Sequence, residues 1–473
     1  MADLIDTTQE PKSSNKSKLL WLIITILMGL FIWKLPTPTG LPVAGHKLLA
    51  LLASLIILFI KEIIPLPITM ATAGAMLVLF GIGELDQVWS SYANSVVIFV
   101  IACLMLANIA DHVGLTDRIG KFLLAKFGDN LLKFSLFSCL IFGISSAFMH
   151  NVSSITLGLI SLVPLMRAAD IKPGSNTGKF LVISLAFSCS AGGMGSLAGG
   201  GRNLVSVTFL EEFTGETISF LQWMLHALPP AILLIPIIWG SVYLVFKPDK
   251  TIKFPKRMIE ESKEKKPFST EEKVTLTLLI FVFAGFMFSD VIDIHYSIIA
   301  ILGVFIFAAL NLVDWKKLND EVAWAVSLFI FGGGIALGRA MEYTGTANYI
   351  ADLIFPFFEG KSWIVIFILS GLLGVLLSEF MANVAAASII VPVAIPIVMQ
   401  VGVNPAIIAL GVSMFTSFAY LLVIGCPPNA IAYSYGYFST ADLFKAGLVA
   451  QTTAIIGTVV IALIWWNILG VFI

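Results

Sequence analysis

Ser146-Ala147-Phe148-Met149-His150-Asn151-Val152 sits in the middle of an apolar stretch, 131 to 166, that is too long for one membrane crossing. The pattern returns as Ser378-Glu379-Phe380-Met381-Ala382-Asn383-Val384, in the middle of a second such stretch, 362 to 400. Five of the seven positions are identical, and Pro164 then meets Pro396 in the same register. Two further matches keep the order. Asp111-His112-Val113-Gly114 lies over Glu342-Tyr343-Thr344-Gly345, and Gly199-Gly200-Gly201-Arg202-Asn203 lies over Gly425-Cys426-Pro427-Pro428-Asn429. Matches in one order at nearly constant spacing mark a duplicated chain.

The material being duplicated is membrane protein. Of 473 residues 58% are hydrophobic and 12% charged, more apolar than a soluble core requires. Runs of about 17 residues or more, enough to cross roughly 30 Å of hydrocarbon, recur throughout. Eleven crossings are expected, near 19–35, 46–62, 66–83, 92–110, 180–210, 228–246, 274–290, 296–313, 323–340, 406–434 and 447–469. Residues 1–18 read as a polar tail and 19–43 as the first crossing with its following turn, without a signal-peptide cleavage site.

Lys and Arg gather in 116–133, 167–179, 247–273 and 316–317, whereas 211–227 and 290–295 have none. The positive-inside rule places all the basic loops on the N-terminal side only if both broken stretches enter and leave on one face. They are therefore read as re-entrant hairpins, 131–166 opening to the cytoplasm and 362–400 opening outward. The N-terminus is cytoplasmic, the C-terminus is outside, and the protein belongs to the inner, cytoplasmic membrane of its cell. The first repeat covers 44–246, a solvated cytoplasmic linker 247–273, and the second repeat 274–473. Each copy holds five crossings and a hairpin. Five is odd, so the second copy is inverted, an arrangement typical of secondary transporters. The expected fold is an all-α polytopic membrane protein of eleven transmembrane helices and two re-entrant hairpins.

Enzymatic chemistry finds no support. The four cysteines, Cys103, Cys139, Cys189 and Cys426, have no CxxC spacing, and no HExxH, nucleotide loop or nucleic-acid patch occurs. No cofactor is expected. The remaining alternative, an anion channel, is disfavoured by hairpins closed from two sides. Non-helical backbone at membrane depth must be buried in protein or line a polar cavity. Four such places exist: the tips around Asn151 and Asn383, and the breaks at Gly192–Asn203 and Gly425–Asn429. Helix N-termini there offer N–H groups and partial positive charge to an anion, and Asn amides add donors. Two breaks and two tips related by the repeat suit a ligand with an anionic group at each end, a dicarboxylate.

These motifs, with Thr416–Ala432 and the trailing Gly436–Gly447, resemble the divalent anion/sodium symporter family of INDY-type dicarboxylate and citrate carriers, over nearly the whole chain. The resemblance implies a homodimer of scaffold and transport domains, an elevator motion, and substrate held between tips bearing Ser-Asn-Thr. It also implies sodium beside each tip and Gly-Thr-Pro-Pro-Asn breaks. On that basis Asn151, Val152, Asn383, Val384, Gly200, Cys426 and Pro427 are the expected substrate-binding residues. Ser146, Gly199, Ser378, Asn383 and Gly425 are those left to hold sodium.

The chain departs from the pattern. The tips read His150-Asn151-Val152 and Ala382-Asn383-Val384, without the flanking hydroxyls, and the first break carries Arg202 where the family has proline. Oxygen ligands suit a hard cation, and Arg, His and Val supply none. Arg202, and His150 if protonated, are therefore expected to replace bound sodium by fixed charge. The alternatives are an Arg that snorkels or pairs with a structural carboxylate, and a neutral His packed at a tip. Arg339 and Glu342 are expected to pair along one helix. The expected activity is sodium-independent exchange of C4 to C5 dicarboxylates, with a sodium-coupled dicarboxylate or citrate symporter as the alternative.

Overall fold

The computed structural model describes residues 15–470 apart from 62, 265, 266, 323, 359 and 360. Most of the expected tail therefore lies outside the described residues. The described chain is helical, with no strands. Asn15–Lys34 stands ahead of the first copy.

Both copies then run through the same elements. The first has Val43–Lys61, Leu66–Leu79, a short Leu85–Tyr92 leading into Ser95–His112, and an amphipathic Leu115–Phe127. Next come the hairpin arms Leu131–Met149 and Asn151–Ala168, the broken pair Asn176–Gly192 and Gly201–Thr214, and the long Phe220–Phe246. The second has Thr270–Met287, Tyr296–Ala309, a short Trp315–Glu321 bent by 49° against Val326–Tyr343, and Thr346–Phe358. Its hairpin is Trp363–Phe380 with Asn383–Val401, its broken pair Ala406–Phe415 and Pro427–Ser434, and its long helix Thr440–Leu469.

Local chemistry sets the same boundaries twice. Ser219 caps the first long helix in a capping box with Gln222, and Ser439 caps the second with Asp442. The two long helices then pack together, where Trp465 Nε1 donates to Leu225 O at 2.7 Å and Trp466 Nε1 to His226 O at 3.0 Å.

Eight described helices are long and apolar enough to cross a membrane, or nine if the bent pair at 315–343 is one span, and four further apolar helices are shorter. All four hairpin arms are among the eight, so length alone does not mark them as re-entrant; the charge pattern carries that reading.

Three expectations need correction. The start of the basic loop 116–133 is helical, because its alternation of apolar and charged residues over Leu115–Phe127 suits a helix too amphipathic to register as a crossing. The linker 247–273 is not simply solvated: it contains Lys256–Lys263, buries Phe254 and Ile259, and is tied to the body by Arg118 and Glu272 at 2.6 Å. Arg339 pairs with Glu212, not Glu342, and its Nη1 lies 3.4 Å from Ser91 Oγ. Gly338 explains that choice. A methyl group there would stand 1.9 Å from Phe209 Cζ, so the helices 332–343 and 201–214 approach closely and the arginine reaches across.

Candidate functional site

The first arm ends at His150, whose φ of 66° puts it in the left-handed region. A non-glycine residue there stores strain, on the order of 1–3 kcal/mol, which the surrounding packing must hold. His150 Nδ1 accepts from Val152 N at 3.4 Å and so caps the second arm, which starts at Asn151. Asn151 is 2% exposed, and its Oδ1 has no partner. At the second tip, Asn383 Oδ1 accepts from Ser378 Oγ at 2.7 Å, which leaves the buried Nδ2 without a partner. A buried amide nitrogen with no acceptor is costly to leave unsatisfied, and it is the group an incoming carboxylate would accept from.

The breaks are built alike. After Gly192 the chain makes tight turns at Gly193–Gly195 and Leu197–Gly199, extends at Gly200, and resumes helix at Gly201. After Phe415 it turns at Thr416–Phe418 and Val423–Gly425, extends at Cys426, and resumes at Pro427. The entry to the first break requires glycine: a methyl group on Gly192 would fall 1.8 Å from Gly143 O. Asn203 Nδ2 holds the first break by donating to Gly193 O at 2.9 Å and Ser196 O at 2.6 Å. Asn429 Nδ2 holds the second by donating to Ala419 O at 3.0 Å and Leu422 O at 3.2 Å.

Arg202 joins these parts. It is 2% exposed; its Nε donates to Ser417 Oγ at 2.8 Å and its Nη2 to Ser190 O at 3.3 Å. Burial rules out snorkelling, and no described carboxylate forms an ion pair with it. A methyl group on Gly193 would stand 3.3 Å from both Arg202 Nη2 and Asn151 Cβ, so the guanidinium lies beside the first tip. Gly200 leaves room for it as well, since a methyl there would be 2.7 Å from Nη1. Towards the second tip, Ser417 follows Thr416, whose carbonyl accepts from Ser378 Oγ at 3.1 Å, and Ser378 holds Asn383. Ser190 Oγ lies 3.6 Å from Cys426 Sγ. Asn151, Gly200, Arg202, Cys426 and Asn383 thus belong to one buried assembly. Val152 and Val384 are half-buried beside the tips, and Pro427 is exposed.

Of the residues expected to hold sodium, Ser146 Oγ donates to Cys189 O at 2.6 Å and Gly199 packs on Gly193. Gly425 lies against Glu379, whose Oε2 would be 2.8 Å from a methyl group there. Among the described residues no group of three His, Cys, Asp or Glu is placed to hold a metal ion. Sequence reasoning missed Ser190, Ser417 and Glu379. The serines give no local signal, but Glu379 does, as the lone carboxylate of an apolar stretch.

A cleft of about 1730 Å³ opens beside the assembly, walled by 95–112, 115–127, 270–287 and the first hairpin. Arg118, Lys121, Lys126 and Lys263 stand in its wall, and it reaches Met149, next to the first tip. Asn151 at the tip is buried and does not line the cleft.

The family model described as the sodium:sulfate symporter transmembrane region matches residues 16–472. A sodium-dependent dicarboxylate transporter SdcS of Staphylococcus saprophyticus is 26% identical over 486 residues, covering 96% of this chain and 92% of its own. The protein of the same name from Staphylococcus aureus is 27% identical over 498 residues, covering 98% and 94%. The solved structure of the Alcanivorax borkumensis YdaH transporter aligns with a TM-score of 0.56 at 14% identity, over 95% of this chain and 96% of that one, a likeness of fold.

Proposed function

The chain belongs to the sodium:sulfate symporter family, and on that premise we propose that it is a secondary transporter of dicarboxylate anions in the cytoplasmic membrane. The observation that carries the reading is the buried assembly in which a guanidinium is joined to two Asn tips through the two helix breaks. A dianion finds a fixed cation in Arg202, a free amide donor in Asn383 Nδ2, and the helix N-terminus at Gly201; Pro427 and Pro428 open the other helix without N–H donors. The names of the two staphylococcal relatives support the same substrate class.

The finer reading is exchange. Arg202 occupies the first break where the family places a proline beside a cation, and an Arg without ionic partner is costly to move through the membrane empty. Occupied sites cross more readily, which links import of one C4 to C5 dianion to export of another. We read the protein as a homodimer with its N-terminus in the cytoplasm, moving its hairpins and breaks as an elevator against the remaining helices. A second reading, sodium symport, is favoured by the relatives' names and by Asn429 Oδ1, a buried acceptor without partner at the second break. Counterflow in proteoliposomes separates them. Exchange gives accumulation of labelled succinate only against internal dicarboxylate, with or without sodium; uptake into empty vesicles driven by a sodium gradient sinks exchange and supports symport. No movement of any dicarboxylate sinks both.

A further inference from the structure

Glu379 follows Ser378 on the arm Trp363–Phe380 and is 3% exposed. Its carboxylate reaches the second break, where Oε1 accepts from Leu421 N at 3.1 Å and Oε2 from Leu422 N at 3.0 Å. Gln451, with its amide nitrogen turned inward, donates to Oε1 at 2.8 Å and to Phe418 O at 3.2 Å. No described cation forms an ion pair with it.

The elements packed against Glu379 carry few other charges. Its own arm has no second titratable residue, and Asn383–Val401 and Ala406–Phe415 have none. The break contributes Tyr420 and Cys426. Thr440–Leu469 contributes Asp442 and Lys445, both N-terminal to Gln451, and Asp442 is committed to Lys179 at 2.9 Å. Arg202 lies beyond Cys426, bonded to Ser417 and Ser190. In the repeat Glu379 lies over Ala147, so the second tip carries a carboxylate that the first does not.

We propose that Glu379 is the proton-binding residue of the transport site, so that a dicarboxylate and a proton bind together. The inference rests on the dicarboxylate reading and holds for exchange or net uptake alike. A dianion beside Arg202 leaves one negative charge unbalanced, and an ionised Glu379 adds another in a pocket with little water. Transfer of a proton from hydronium to a carboxylate oxygen, leaving water and a neutral acid, removes that second charge and breaks no other bond. Binding of the anion raises the proton affinity of Glu379, and by reciprocity the proton raises affinity for the anion. The three N–H donors that hold the ionised form, two backbone amides and Gln451, allow the proton to leave when the site empties.

The test is succinate binding to the purified full-length protein by calorimetry between pH 6.5 and 8.5, in choline salts, in buffers of different ionisation enthalpy. Expected is a Kd that weakens by up to about tenfold per pH unit as pH rises, with net proton uptake on binding. Glu379→Gln should bind with little pH dependence and no uptake, while His150→Gln, which removes the titratable group at the other tip, keeps the slope. Ionisation of succinate is common to all variants and cancels in the comparison. The same slope in wild type and Glu379→Gln overturns the proposal, as does a wild-type Kd that does not change with pH in choline salts. If Glu379→Gln does not fold, Glu379→Asp decides. A moved midpoint with proton uptake supports the proposal, and an unmoved one overturns it. Absence of binding by a folded wild-type protein to any dicarboxylate instead removes the functional reading itself, and this inference with it.

Discussion

Asn203 and Asn429 make the same pair of hydrogen bonds in the two halves of the protein: each amide nitrogen donates to the carbonyls 10 and 7 residues before it. The bonds close the turn that a broken helix leaves open, where freed carbonyls would otherwise be buried without donors. The two are not equal. Asn203 Oδ1 also accepts from Ser413 Oγ at 2.6 Å, whereas Asn429 Oδ1 is buried without a partner.

Asn203→Ala and Asn429→Ala should therefore each lower stability, by about 1–3 kcal/mol, with Asn203 the costlier because it loses three bonds. Thermal unfolding of the purified protein measures it. Unchanged melting in both variants would show that the breaks hold themselves.

Asn383→Ala should weaken dicarboxylate affinity ten- to a hundredfold, the loss of a charged hydrogen bond of roughly 1.5–3 kcal/mol, with Asn151→Ala behaving likewise. Binding isotherms on folded variants decide. Wild-type affinity in either means that the amide serves the hairpin and not the ligand.

Arg202→Gln should abolish transport, since the anion loses its nearest fixed cation, and Arg202→Lys should keep part of it. Lysine keeps the charge but not the fork that engages Ser417 and Ser190 together. Normal exchange at native affinity in Arg202→Gln would reduce the guanidinium to a structural brace.

Arg339→Ala leaves Glu212 half-enclosed without its counter-charge and should cost about 1–3 kcal/mol, between the values for exposed and buried pairs. Arg339→Ala with Glu212→Gln should recover most of the loss. A double variant no better than the single one excludes the pairing as the cause.

Glu272, at the linker's end, is pulled down to about 2 chiefly by its bond to Arg118, with help from Ser269 N. A depressed folded-state carboxyl stabilises fully above its ordinary value and loses that contribution as pH falls through its folded value. The melting-temperature gap between wild type and Glu272→Gln should thus stay level from pH 8 to about 5, narrow as pH falls further, and close only near the folded value of about 2. A gap that does not depend on pH would remove ionisation as the source of the tie.

The duplication, the hairpins at 131–166 and 362–400, the places of the breaks and the anomaly of Arg202 are legible along the chain, because each is written in neighbouring residues: a repeated heptapeptide, runs of glycine and proline, a charge in an apolar segment. Which groups answer that charge depends on contacts between distant segments. Ser417 is 215 residues from Arg202, and Glu212 is 127 from Arg339. No periodicity connects such positions; they meet because the two halves pack face to face, with Gly338 against Phe209 and Phe187 stacked on Tyr420 at 4.1 Å. Packing within the second half turns Glu379 towards the second break, whose Leu421 is 42 residues further on. A lone carboxylate in an apolar run is visible in one dimension, but the amides of Leu421 and Leu422 that hold it are brought there by the fold.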